Sequence, residues 1–249
     1  MIITSVDNSK LVACRKLADK KYRRQQHLYV VEGERLVRDA MKYGVKPEEL
    51  FVKQSVADKF VDEFPQADIV ADKAFGTICD TVNSQGIVAV CRIEQSPLTP
   101  PQGNCLVLDG LQDPGNVGTL IRTAAACGFS DVYAVNSVDL YSPKVLRSAM
   151  SAHFCVKLHE CVDIEQAFTV LDGVDKVCAD MGGKDVFATD FVAKTALVVG
   201  NEGNGLSDFA RKNCDVVVAL PMANNFESLN ASVAGSVIMY QIFASSLNK

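Results

Sequence analysis

The residues of this 249-residue chain whose types and spacing could do chemistry are Asn116 with Arg122, Glu202, and Ser228 with Asn230. Each group follows a short apolar run that reads as a buried strand: Cys105 to Asp109, Ala196 to Gly200, and Val216 to Leu220. The loops that follow are rich in Gly, Asn and carboxylate. A polar elbow after a parallel strand is where α/β proteins bind ligands, because helix N–H groups and polar side chains converge there. In the third elbow, Asn225 and Ser228 could do no more than cap the next helix. Asn230 would then lie inside the first turn, where Asn forms helix poorly and the capping role is already filled, which points toward a ligand. If the three strands are parallel neighbours, all three loops share one end of a sheet.

The elements needed to hold those loops are legible. From Cys105 onward the pattern predicts strands over 105–109, 131–136, 155–158, 176–180, 196–200 and 215–220. Helices are predicted over 117–127, 143–152, 163–171, 206–213 and 229–247, the last with apolar positions Leu229, Val233, Val237, Tyr240, Ala244 and Leu247. Strands apolar on both faces, alternating with helices, predict an α/β fold with a mostly parallel covered sheet. Upstream lies a smaller α/β unit with a helix over 8–21, a strand over 28–32, a helix over 33–43 ended by Gly44, and short strands over 50–53, 67–70 and 86–91. The predicted division is 1–94, a Pro-rich stiff linker over 95–104, and 105–249.

Composition narrows the function. With 48% hydrophobic and 22% charged residues the chain is globular. It has no apolar run long enough to cross a bilayer and no secretory segment is expected. Nine scattered cysteines without a C-x-x-C pair point to free thiols in a reducing cytoplasm, and three unclustered histidines point to no metal. The net charge is −5, yet residues 1–46 carry eleven Lys and Arg against five Asp and Glu, a local +6 that leaves −11 for the rest. Arg15, Lys16, Lys20, Lys21, Arg23 and Arg24, with Tyr22 among them, suit phosphate contact, although a solvated helix end would read the same way. Neither glycine loop has the dinucleotide order or the lysine of a P-loop, so a nicotinamide enzyme is disfavoured.

Three motifs then carry a family. Asp113-Pro114-x-Asn116-x-Gly118-x-x-x-Arg122, Val199-Gly200-Asn201-Glu202-Gly203-x-Gly205, and Leu220-Pro221-Met222 through Ser228-Leu229-Asn230-x-Ser232 occur in order. They resemble the signature of the SpoU (TrmH-type) RNA 2′-O-methyltransferases of the SPOUT superfamily. The N-terminal Lys20-x-x-Arg23-Arg24 and Val30-Val31-Glu32-Gly33-x-Arg35 are similar to that family's substrate-binding domain. The resemblance implies an L30e-like N-terminal domain that binds RNA, with Arg35 joining the basic cluster, and a C-terminal trefoil-knot catalytic domain. It implies S-adenosylmethionine held by Val199, Gly200, Asn201, Gly203, Leu220, Met222 and Leu229, and a homodimer that completes the site. The expected substrate is structured RNA, ribosomal favoured over transfer RNA.

Methylating a ribose hydroxyl is an in-line displacement that needs alignment and stabilisation of a developing alkoxide. Arg122 would be the catalytic arginine, binding phosphate and oxyanion rather than acting as base, since a guanidinium gives up its proton with difficulty. Asn116 would hold the loop, Glu202 would orient Arg122 or simply sit at a helix N-terminus, and Ser228 and Asn230 would position substrate or loop. A non-catalytic RNA-binding or ribosome-assembly protein on the same fold is the alternative.

Overall fold

The computed structural model describes residues 2–94, 97–191, 194–224 and 228–247. Two compact units divide the chain, Met1–Gln95 with Tyr141–Leu146, and Ser96–Leu140 with Arg147–Lys249.

The first unit contains β1 (Ile2–Ile3), α1 (Ser9–Lys16), α2 (Lys20–Gln26), β2 (Leu28–Glu32), α3 (Glu34–Lys42), β3 (Pro47–Lys53), β4 (Asp68–Val70), α4 (Asp72–Phe75) and β5 (Ile87–Arg92). Its mixed sheet runs β1-β4-β3-β5-β2, with Leu11, Phe51, Phe75 and Val88 fully buried beneath it. The single helix expected over 8–21 is two helices. Asp19 breaks it by capping α2, its carboxylate accepting from Tyr22 N at 2.9 Å. An aspartate followed by three polar residues competes for backbone N–H groups better than it continues a helix.

The second unit contains β6 (Cys105–Asp109), α5 (Pro114–Ala126), β7 (Asp131–Val135), α6 (Pro143–Ala149), β8 (Lys157–Cys161), α7 (Ile164–Val170), β9 (Asp175–Asp185), β10 (Thr195–Gly200), α8 (Asp208–Asn213), β11 (Val216–Ala219) and α9 (Ala231–Leu247). The first four residues of α6 segregate with the first unit. The sheet order is β11-β9-β10-β6-β7-β8 and every pairing is parallel. All five residues of β6 are buried, as a strand covered on both faces must be. Gly200 pairs with Asp109 and Asp109 with Val135, so β10, β6 and β7 end at one level. From β6 the chain winds one way through β7 to β8, then returns past β6 to build β9 and β10. The strand order reverses between β6 and β10, a place where an open parallel sheet often leaves a crevice, but a cavity of this unit lies on the far side of β10, over β9 and β11.

Part of the predicted linker, residues 95 and 96, lies outside the described residues, as does Asn225 of the third elbow. The remainder, 97–104, forms neither helix nor strand and lies on the second unit. Leu98 packs against that unit's core, Thr99 O accepts from Tyr133 Oη at 2.7 Å, and Gly103 N donates to Ser130 Oγ at 3.1 Å.

Two expectations change. The apolar positions predicted along α9 point outward: Val233 is 48%, Val237 37% and Tyr240 54% exposed, while Gly235, Ile238, Met239 and Ile242 are buried. The helix is apolar nearly all round, so periodicity alone could not choose its inner face. Small residues chose it. A Cβ on Gly235 would lie 2.6 Å from Leu120 Cδ2, and Ser236 Oγ meets Thr123 Oγ1 at 2.9 Å, so α9 lies tightly on α5. The cysteines are also not all free. Cys178 and Cys214, 36 residues apart, form a disulfide, and the other seven are thiols. Cys214 ends α8, which packs on β9, an approach that sequence spacing does not reveal.

Candidate active site

All three loops lie at the carboxyl end of the parallel sheet, and the first and second are bonded to each other. Asp109, at the end of β6, accepts from Ser207 N at 2.7 Å. Asn201 Nδ2 donates to Gly110 O at 2.8 Å, while its Oδ1 accepts from Gly203 N and Asn204 N at 2.9 and 3.0 Å. Asn201 thus folds its own turn and ties it to the neighbouring loop. Gly200 is obligatory here, since a Cβ would lie 2.4–2.6 Å from the backbone of Gly205 and Leu206.

Glu202 performs the longest reach. Its carboxylate accepts from Asn116 Nδ2 at 3.0 Å, Asp113 N at 3.3 Å and Gln112 N at 3.4 Å. Partial desolvation pushes its pKa up, but these donors outweigh it and hold the carboxyl below the ordinary glutamate range. Asn116 is itself buried, its backbone N donating to the helix-capping Asp113 Oδ1 at 2.8 Å. Asp113, with Pro114 at the first helical position, sets the start of α5. Glu202 therefore holds the loop before α5 and the Asn116 amide, and among the described residues makes no bond to Arg122.

A cavity of about 550 Å³ opens between the second and third loops. All the residues expected to hold a cofactor line it, namely Val199, Gly200, Asn201, Gly203, Leu220, Met222 and Leu229, and so do Glu202, Ser228 and Asn230. Asn116 and Arg122 do not. Arg122 is exposed on α5 and makes no ion pair among the described residues. Asn230 corrects the sequence reading. The helix starts at Ala231, two residues later than expected, and Asn230 Oδ1 accepts from Ser232 N, Ser232 Oγ and Val233 N at 2.9, 2.7 and 3.3 Å. It is the cap of α9, and Ser228 lies outside the helix, exposed at the cavity rim.

Sequence reading missed one wall of the cavity, made by Ala179, Asp180 and Met181 of β9 and Arg211 of α8. Asp180 and Arg211 form an ion pair. The D-M-G-G run that interrupts the apolar strand was the available signal.

The basic cluster of the first unit divides. Arg15, Lys16, Lys20, Lys21, Arg24 and Arg35 are exposed, with Lys16 Nζ 5.8 Å from the centre of the Tyr22 ring and Arg35 3.7 Å from Asp39. Arg23 turns inward, only 4% exposed, and donates to Leu17 O and Ala18 O at 2.6 and 2.8 Å. It satisfies the carbonyls at the end of α1 and is removed from the RNA-binding set.

Among the described residues no His, Cys, Asp and Glu group could hold a metal, and no helix is long and apolar enough to cross a membrane.

Residues 103–240 match the SpoU rRNA methylase family and residues 8–89 the MRM3-like substrate binding domain. The chain is similar to the 23S rRNA (guanosine(2553)-2′-O)-methyltransferase of Bacillus subtilis, at 32% identity over 96% of this chain and 98% of that one. Its fold superposes on an AdoMet-bound rRNA methyltransferase of Sinorhizobium meliloti with a TM-score of 0.86 and 26% identity, covering 97% of each chain. The methyltransferase AviRb of Streptomyces viridochromogenes, in complex with AdoMet, shares the fold at a TM-score of 0.88 and 24% identity, over 96% of this chain and 98% of that one. With a family match that spans all three loops and a relative aligned from end to end, this chain belongs to the SpoU rRNA methylase family.

Proposed function

We propose that this protein transfers a methyl group from S-adenosylmethionine to a ribose 2′-hydroxyl of ribosomal RNA, in the cytoplasm and as a homodimer. The observation that carries this reading is the cavity between the second and third motif loops, with the second loop hydrogen-bonded to the first. Its volume of about 550 Å³ lies in the range of cofactor pockets. Leu220, Met222, Leu229 and Ile238 offer apolar surface to an adenine, and the backbone of Gly200 and Leu220 can read its polar edge. When bound, the cofactor supplies an electrophilic sulfonium methyl.

The chain's own residues then orient and stabilise. Glu202 fixes Asn116 and the loop before α5, so the first and second motifs keep one geometry. Asn230 fixes the start of α9, and Ser228 stands at the rim for the incoming ribose. Arg122 supplies the cation for the neighbouring phosphate and the developing alkoxide. Because it stands outside its own cavity, we assign it to the cavity of the second copy. The exposed apolar row Val233, Val237 and Tyr240, on the helix packed against α5, supports pairing through this face. The first unit contributes its exposed Lys and Arg to RNA phosphates.

A radiolabelled methyl-transfer assay on ribosomal RNA from a strain lacking the protein tests the reading. Arg122→Ala should lower the rate on the order of 10²-fold while S-adenosylhomocysteine still binds. Arg122→Lys should restore little, because an ammonium lacks the two-pronged phosphate contact. Cofactor binding without any methyl transfer by the native protein would favour the non-catalytic RNA-binding alternative.

A further inference from the structure

We propose that Asp180, held by Arg211, reads the ribose diol of the methyl donor's nucleoside. This rests on the cofactor site described above and adds a residue to it that the three motifs do not contain.

The sheet is interrupted to put Asp180 where it is. β9 follows its neighbours as far as Cys178, which pairs with Val198 on one side and Val217 on the other. The next residue of β11, Val218, pairs with Lys184, so Ala179 to Gly183 loop out of the ladder. A bulge re-aims side chains at a cost in strand hydrogen bonds, and this one turns Ala179, Asp180 and Met181 into the cavity wall. The return to the ladder demands glycine. A Cβ on Gly183 would lie 2.5–2.6 Å from the Val218 backbone.

The charges in the wall are few. Among the described residues, Asp180, Glu202 and Arg211 are the charged side chains that line the cavity. Glu202 is committed to Asn116 and the loop before α5. Asp180 Oδ2 accepts from Arg211 Nη1, and the Asp180 side chain is only 20% exposed. Arg211 in turn lies across the second loop, with Nη2 3.3 Å from where a Gly205 Cβ would stand. The pair is neutral overall, so Asp180 exerts little pull on a distant ammonium. It presents an oriented carboxylate to near donors. Two vicinal hydroxyls fit one carboxylate, and Asp180 stands two residues beyond the last pairing of β9 with β10, beside the glycine loop, much as an acid in the dinucleotide-binding fold takes a ribose hydroxyl.

The experiment is calorimetric titration of the full-length native, Asp180→Ala and Asp180→Asn proteins. Three probes are used: S-adenosylhomocysteine, methylthioadenosine, which keeps the ribose and lacks the amino-acid end, and 2′-deoxy-methylthioadenosine. Asp180→Ala should weaken the first two equally, by about 10- to 100-fold, the range for hydrogen bonds to a charged group. It should weaken the deoxy compound by far less, and Asp180→Asn should recover part of the loss. A loss confined to S-adenosylhomocysteine would place the carboxylate at the amino-acid end and overturn the proposal. An equal loss for the deoxy compound would make Asp180 a structural residue and overturn it too, as would unchanged affinity throughout. Failure of the native protein to bind any probe would instead refute the cofactor site itself.

Discussion

Asn116 Nδ2 donates to Glu202 Oε1 at 3.0 Å, joining residues 86 positions apart in the chain across the carboxyl end of the sheet. The bond makes two sequence motifs one mechanical unit. Removing the carboxylate by Glu202→Ala leaves the Asn116 amide and two backbone N–H groups without their acceptor. Because Glu202 is solvent-exposed, water replaces part of the loss, and urea denaturation should show a stability decrease of about 1 kcal/mol. Methyl transfer should fall at least ten-fold by the same loosening. An unchanged rate would mean that the junction serves folding only.

Acid should weaken the protein in two stages. Burial lowers the pKa of His153 to about 4, although Leu140 O, 2.7 Å from Nε2, favours its charged form. The unfolded chain takes up that proton near pH 6.5 and the native state does not, so stability falls as pH drops from about 6.5 to about 4. Glu202 is shifted the same way for a different reason. Its contribution is full above the ordinary glutamate value of about 4.3 and is lost as pH falls through its lowered native value. Thermal melts of His153→Asn should lose the upper stage and keep the lower.

Subunit mixing tests where Arg122 works. Arg122→Ala lacks the cation, and Ala234→Phe fills the cavity that Ala234 lines. Each should be inactive alone. Unfolded and refolded together at equal amounts, they should regain about a quarter of native activity, since half of random dimers are mixed and each holds one intact pair. No recovery would place Arg122 in its own chain's site.

Charge reversal separates the exposed cluster from its buried member. Lys20→Glu with Lys21→Glu should weaken RNA binding and lower the slope of log affinity against log salt by about two or more. Arg23→Ala should leave the slope unchanged and cost about 1–3 kcal/mol of stability, because Leu17 O and Ala18 O lose their donor.

The disulfide predicts a redox difference in stability. Closing a loop of 36 residues through Cys178 and Cys214 should stabilise the oxidised protein by about 2–4 kcal/mol over the reduced one. Denaturation with and without dithiothreitol, alongside Cys214→Ser, measures it. Coincident curves would show that the bond does not persist in solution.

What could be foreseen follows physical lines. The strands β6, β7 and β10 were legible because burial on both faces leaves continuous apolar runs such as Leu106-Val107-Leu108. By contrast β8, Lys157-Leu158-His159-Glu160-Cys161 and only partly buried, was expected two residues early over 155–158, and β9 runs past its expected end at 180 to Asp185. The cavity-lining residues were named through the resemblance that the three motifs carry, and the tight approach of Gly200 to the backbone of Gly205 and Leu206 is one physical constraint behind such a motif. The face of α9 was not legible, since Ile238 and Val237 are alike in hydrophobicity and the close approach of Gly235 to Leu120 and Val199 sets which side turns inward. Arg23 resembled its basic neighbours until the carbonyls of Leu17 and Ala18 were placed beside it. Asp180 was passed over because a strand reading assigns its side chain to a sheet face, and the bulge puts it elsewhere.

The hold of residues 97–104 on the second unit bears on how this protein can be recombined. The second unit begins not at Cys105, where its first strand opens, but ahead of Leu98. A chimaera that grafts a foreign recognition module onto this catalytic half should carry Leu98, Thr99 and Gly103 with the catalytic half. One spliced at Asn104 would deprive Tyr133 of its acceptor and expose the apolar floor that Leu98 covers. The unit of inheritance is therefore longer at its front edge than its first strand.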